Sequence, residues 1–285
     1  MEKRDQIIEK LIHFGQDHQD IESLLQTGER NNPNGKKDHL MDYQFVFGVK
    51  DPSEFQDPHF LEEIFGQSLL MQKQDGLLFV NKVTKDHVGY TLILDDITKI
   101  TISFLPQDQM QEYIQMDSLS KILINKDDLL VGNNNQTDIS YRQLRPTKKE
   151  FNHCCNQFFI EALNVAKGLY RGEIIYAIKT FSEIRETVDQ MTSFYIGAHY
   201  DFKVSIGERY KYIKNYLEPE HYQRYLETYP LPDRDYLWRA LFNACMLFRK
   251  EGLEVARILN YEYPKLADRE IIQNIRNIYS KYNES

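Results

Sequence analysis

Residues 27–49, TGERNNPNGKKDHLMDYQFVFGV, decide how the rest of the chain is read. The stretch opens on a loop led by Gly28 and passes through the turn-rich segment NNPNGKKD at 31–38. It ends in a strand over Gln44–Val49, and side chains two apart on a strand share a face, so Asp42 and Gln44 point the same way. Two carboxylates at that spacing make a ready site for a divalent metal and a nucleoside triphosphate. Here the second member is an amide.

On either side of this stretch the pattern is mixed at first and then uniform. Ile7, Ile8, Leu11, Ile12 and Phe14 have helical spacing, which the sequence breaks near Gly15 and restarts after Asp20 through Ile21, Leu24 and Leu25. A short helix is predicted over His59–Phe65, ended by Gly66. From Ser68 to Leu105 the chain reads as strands: LLMQ, LLFVNKV, VGYTLILDD and TKITISFLP. The last alternates, with Ile100, Ile102 and Phe104 on one face and Thr101, Ser103 and Leu105 on the other. Asp95–Thr98 forms the turn of a hairpin. A helix over Gln109–Ile114, the segment KILINKDDLL and the loop GNNNQTD (132–138) follow.

Beyond Arg145-Pro146-Thr147, helical spacing covers 148–166, 172–200, 205–217, 219–228, 235–260 and 268–282. The expected class is α+β, with an α/β domain over 1–145 and a helical domain over 146–285. Trp238 falls in YLWRALFNACMLF, which is apolar on more than one face and reads as a buried helix.

Composition narrows the function classes. The 285 residues suffice for two cores. No apolar run reaches the roughly 20 residues of a membrane span. The charged, amphipathic N-terminus lacks the apolar stretch of a secretory signal. Three cysteines make neither a disulfide framework nor a zinc spacing, so a reduced cytoplasm is expected. Residues 1–145 carry 15 Lys and Arg against 24 Asp and Glu, and residues 146–285 carry 20 against 19. Neither part has the basic excess of a nucleic-acid binder. The expected partner is a small molecule, with no nucleic acid and no membrane.

The order of motifs resembles the aminoglycoside 6-adenylyltransferases, the streptomycin-inactivating enzymes of bacteria. The resemblance runs through MQK (71–73), KITISFLP (99–106), RPTKKEFNHCCNQFF (145–159) and KGLYRGEIIYAI (167–178). It continues in GERYKYIKNYL (207–217), LFRK (247–250) and YEYP (261–264). It implies a nucleotidyltransferase domain of the DNA-polymerase-β type followed by a helical bundle, with substrate held between them. It also implies ATP and Mg²⁺, with two metals clamping the attacking and leaving oxygens. On that pattern Gly-Ser before a helix faces phosphate, two aspartates stand at i, i+2 on one strand, and a third carboxylate stands on a neighbouring strand.

This chain departs from the pattern at most of those points. Gly28 matches the glycine, but Glu29 stands at the serine. Asp42 matches the first aspartate and is the surviving metal ligand. Gln44 and Thr101 stand at the other two carboxylates. Neutral oxygens supply none of the anionic charge that Mg²⁺ draws on. A Glu29 carboxylate ~4 Å from a polyphosphate is repelled by roughly 4 kcal/mol at an effective dielectric near 20, with Arg30 offsetting part. Binding of MgATP is therefore expected to be weak. On the substrate side, Asn152, His153 and Gln157 replace acids, and Lys179 replaces an aspartate. A pocket for a polycationic aminoglycoside wants those acids. Arg209 and Lys211 (with Lys214) lie where the family places a basic segment, and a triphosphate contact and an exposed basic helix face both fit them.

Plain structural readings stand beside these. Asp95-Asp96 fits a turn more simply than a metal site, adjacent Cys154-Cys155 on a helix fits packing, and His153 fits an exposed helix position. Two functions stay open: a family protein with a degenerate centre that binds a nucleotide or metabolite, and a working nucleotidyltransferase on another hydroxyl substrate.

Overall fold

The computed structural model describes residues 3–74, 77–79, 82–84, 87–132 and 135–284. Contacts divide the chain into two compact units, Met1–Ser140 and Tyr141–Ser285. The division falls ahead of the boundary read at Arg145.

Unit 1 runs α1 (Lys3–Asp17), β1 (Ile21–Thr27), β2 (Tyr43–Val49), α2 (His59–Phe65), β3 (Leu70–Gln74), β4 (Leu77–Phe79) and β5 (Lys82–Thr84). It continues β6 (Val88–Ile93), β7 (Lys99–Pro106), α3 (Gln107–Met116) and β8 (Lys121–Asn125). Six strands form a mixed sheet in the order β3-β6-β7-β2-β1-β8, and β4 pairs with β5 apart from it. Among the described residues β2 and β7 make the one parallel pairing, with Tyr43 opposite Ile100 and Gln44 opposite Thr101.

The alternation of KITISFLP is met in the packing. Ile100, Ile102 and Phe104 enter the main core under α1 and α2, while Leu105 joins Leu25, Val46 and Met110 beneath α3. Phe104 stacks on Phe47 and Phe55 at 5.1 and 4.3 Å between ring centroids. The 95–98 segment is the β6–β7 turn: Leu94 N donates to Thr98 O at 3.0 Å, and Asp96 Oδ1 accepts from Thr98 N at 3.1 Å.

Two expectations are corrected at the N-terminus. The first helix does not break at Gly15 but continues to Asp17, and Gly15 sits where the helix meets the sheet. A Cβ there would come within 2.7 Å of Ile124 Cδ1 and 3.3 Å of Phe47 Cε1. The second correction is Ile21–Thr27, read as a restarted helix and observed as a strand between β2 and β8. Both of its faces are covered, so its apolar residues are contiguous rather than alternating, and helix and strand periods cannot be told apart. In the strand read over LLFVNKV, residues 80 and 81 lie outside the described residues, as do 133 and 134 of the 132–138 loop.

Unit 2 is helical: α4 (Lys148–Arg171), α5 (Ile174–His199), α6 (Pro219–Leu226), α7 (Arg234–Leu259) and α8 (Lys265–Asn283). Thr147 opens α4 with a capping box, its Oγ1 accepting from Glu150 N while the Glu150 carboxylate accepts from Thr147 N at 2.7 Å. Those bonds hold the Glu150 carboxyl below its ordinary pKa. Phe158 stacks on Phe248 at 3.9 Å, Trp238 is buried, and Cys154, Cys155 and Cys245 are buried free thiols. The 205–217 segment, read as a helix, is irregular. It contains two short 3-10 turns, Glu208–Tyr210 and Ile213–Asn215, and Gly207, Arg209 and Tyr210 take positive φ, which a right-handed helix excludes. No described helix is long and apolar enough to cross a membrane.

Candidate active site

Gly28 ends β1 with φ 75° and ψ −160°, a region essentially reserved for glycine. The Gln44 amide lies directly over it: a Cβ on Gly28 would come within 2.4 Å of Gln44 Oε1. A 3-10 turn over Glu29–Asn31 follows. Asn31 Nδ2 pins it by donating to Gln26 O at 2.7 Å and Leu119 O at 2.9 Å. The polar excursion then wraps around an ammonium. Lys37 Nζ donates to the carbonyls of Glu29, Arg30 and Asn32 at 3.2, 2.7 and 2.7 Å. Burial, then Arg30 nearby, lower the Lys37 pKa, and Glu29 opposes them.

Glu29 and Arg30 are both engaged by their own surroundings. Glu29 Oε1 accepts from Asn32 Nδ2 at 3.2 Å and lies where a Cβ on Gly35 would sit, 2.2 Å away. Arg30 donates from Nε to Asp42 O at 2.9 Å and from Nη2 to Met41 O at 2.5 Å. Its guanidinium lies 3.5 Å from the centroid of the buried Tyr43 ring. Arg30 thus braces the backbone on which Asp42 stands.

Asp42 Oδ2 is 2.6 Å from Lys99 Nζ, with the two side chains 42% and 45% exposed. Lys99 precedes Thr101 by two residues on β7 and shares its face. From Gln44 the register continues through Thr101 to Thr91 on β6, whose Oγ1 accepts from Gln74 Nε2 on β3 at 2.8 Å. On that face Ser103 is buried, and its Oγ has no partner among the described residues. The fold therefore brings Gly28, Asp42, Gln44 and Thr101 together and adds Lys99, Thr91 and Gln74, which sequence reasoning did not single out. Lys99 had one signal: it stands two residues before Thr101 in an alternating strand.

The other expected residues belong to unit 2. His153 is exposed on α4; Gln157, one turn on, donates from Nε2 to Glu161 Oε1 at 3.1 Å. Lys179 is exposed on α5. Arg209 Nε lies 3.9 Å from Glu208 Oε1, and Lys211 Nζ lies 5.1 Å from the centroid of the Tyr212 ring. Unit 2 also holds a buried polar cluster without a sequence signature. The fully buried Glu251 accepts from Thr192 Oγ1 at 2.8 Å and lies 2.7 Å from His221 Nε2, joining α5, α6 and α7. Burial raises the Glu251 pKa against the hydrogen bonds that lower it.

The Mg²⁺ implied by the resemblance is tested by the donor set. Of Asp42, Gln44 and Thr101, Asp42 alone is anionic, and an ammonium already holds it. Gln44 and Thr101 are neutral. Among the described residues no three His, Cys, Asp or Glu side chains converge. This donor set does not fit a two-metal clamp, which relies on several carboxylates.

Comparison with known proteins gives the ancestry. Residues 1–278 match the streptomycin adenylyltransferase family. The chain is 32% identical to an aminoglycoside 6-adenylyltransferase of Campylobacter jejuni, over 99% of this chain and 98% of that protein. It is 29% identical to one from Bacillus subtilis (strain 168), over 93% and 94% of the two chains. A crystal structure of an aminoglycoside 6-adenyltransferase from Bacillus subtilis aligns over 98% of this chain and 99% of that one, at 26% identity and a TM-score of 0.48. By full-length match and by identity, this chain belongs to the streptomycin adenylyltransferase family.

Proposed function

We propose that the chain is a family member whose transfer centre has lost metal-assisted chemistry, and that it binds a nucleotide or a small hydroxylated molecule without adenylylating streptomycin. One observation carries this reading: Asp42 stands beside neutral Gln44 and Thr101, with its carboxylate paired to Lys99 at 2.6 Å. The family reaction is ATP-dependent transfer of AMP to an aminoglycoside hydroxyl, and nucleotidyltransferases generally draw on ATP and a divalent metal. Asn152, His153, Gln157 and Lys179 support the same reading, because none supplies the negative charge that a polycationic substrate draws on.

The test is pyrophosphate release from purified protein with ATP, Mg²⁺ and streptomycin, alongside calorimetric titration with ATP. The expected result is no release above background. Turnover of streptomycin, together with resistance conferred on a sensitive host, overturns the proposal. Gly28, Arg30 and Asp42 favour a second reading, a nucleotidyltransferase for another hydroxyl substrate. Metal-dependent pyrophosphate release with other hydroxyl compounds, abolished by Asp42→Asn, would establish it.

A further inference from the structure

We propose that the groove between α7 and α8 is a binding site for a small amphipathic carboxylate. The groove encloses about 280 Å³ and lies wholly within unit 2. Each helix presents one face to it. Phe242, Cys245 and Arg249 recur along α7 at i, i+3 and i+7, and Ile272, Arg276 and Tyr279 recur along α8 at i, i+4 and i+7. The walls are apolar, with Tyr279 edge-on to Phe242 at 5.3 Å between centroids. The charged groups among its lining side chains are the two guanidiniums, with the Tyr279 hydroxyl and the Cys245 thiol as neutral polar groups.

Those two cations differ in their surroundings. Arg249 is held in place, its Nε donating to Asp268 Oδ2 at 2.6 Å, and that pair is half-buried to buried. Arg276 is exposed and makes no side-chain ion pair or hydrogen bond among the described residues. Arg249 and Arg276 against Asp268 leave one uncompensated positive charge beside an apolar slot. A monoanion complements that charge, and guanidinium forks suit the two oxygens of a carboxylate. Apolar walls with few convergent polar groups are the usual form of a small-molecule site. A volume at the small end of that class selects a short alkyl or aryl chain. All of the groove's residues belong to unit 2 and Asp42 belongs to unit 1, so the inference uses none of the residues of the proposed function and is tested independently of it.

The experiment is calorimetric titration of the full chain with octanoate, hexanoate and octanol. Octanoate is expected to bind saturably. Hexanoate should bind more weakly by about fourfold for each methylene removed, and octanol should bind at least about tenfold more weakly for want of the charged contact. Arg276→Glu should lower octanoate affinity by about tenfold or more and change octanol affinity far less, because it reverses the charge of an exposed lining residue and octanol carries no charge. Met246→Glu offers a second variant: Met246 lines the same groove and is 62% exposed, so a carboxylate there should repel octanoate without disturbing the fold. Absence of saturable octanoate binding overturns the proposal. So does equal affinity for octanol, or octanoate affinity unchanged in both folded variants.

Discussion

Replacing Gln44 and Thr101 together by aspartate should give a protein whose stability depends on divalent cations. The two residues are register partners on neighbouring strands. Adjacent Cβ atoms in a sheet lie about 5 Å apart, and two carboxylates at that distance repel by about 3 kcal/mol at an effective dielectric near 20. Solvent around the exposed position 44 screens part of this, so about 1–2 kcal/mol of destabilisation is expected without metal. Mg²⁺ or Mn²⁺ at a hundred times its dissociation constant returns about 2.7 kcal/mol. The assay is thermal unfolding with and without Mg²⁺. The wild type should show no shift. The double variant should melt lower in chelator and recover by several degrees with Mg²⁺, at about 2–4 °C per kcal/mol. Adding Asp42→Asn to the double variant should remove much of that recovery. Wild-type protein stabilised by Mg²⁺ to the same degree, with the effect lost in Asp42→Asn alone, would refute the degenerate-site account.

Other outcomes follow from the same geometry. Gly28→Ala forces a side chain into a glycine-only conformation, so urea unfolding should show a loss of about 1–3 kcal/mol, and adding Gln44→Ala should not restore it because the backbone strain remains. Asp42→Asn alone should change stability by no more than about 1 kcal/mol, since its ion pair is nearly half exposed. Glu251→Ala should cost about 3–5 kcal/mol by stranding buried His221 and Thr192, with Glu251→Gln milder in the same urea titration. Burial pushes the Cys155 and Cys245 thiols up to about 12 and raises Cys154 as well, so a disulfide reagent at pH 8 should label none of the three in native protein and all three in denaturant.

Much of the fold was legible where burial is one-sided. Ile100, Ile102 and Phe104 alternate with Thr101 and Ser103 because one face of β7 meets the main core, and α2 ends at Gly66, whose φ is 80°. The β1 strand was misread because both its faces are covered, which erases the two-residue period. GERYKYIKNYL has the spacing of a helix, but Gly207, Arg209 and Tyr210 at positive φ interrupt it, and spacing carries no information on backbone sign. Asp42, Gln44 and Thr101 were legible as a group through the family pattern. The Lys99 contact was not, because it arises from the parallel register of β2 on β7, which no local pattern encodes.

That parallel pairing also bears on the order in which the chain assembles. Thr91 and Thr101 meet across a tight hairpin, ten positions apart, whereas Gln44 and Thr101 meet across 57. Closing the longer segment costs about 1.5 kcal/mol more in chain entropy. The β6–β7 hairpin should therefore form early and wait for β2. Substitutions at Gln44 or Asp42 should then speed unfolding and leave the refolding rate nearly unchanged, whereas substitutions in the hairpin turn should slow refolding. The surface that carries the candidate chemistry would be the late-closing seam of unit 1, and a sequence drifting there alters the finished protein with little effect on its route to the fold.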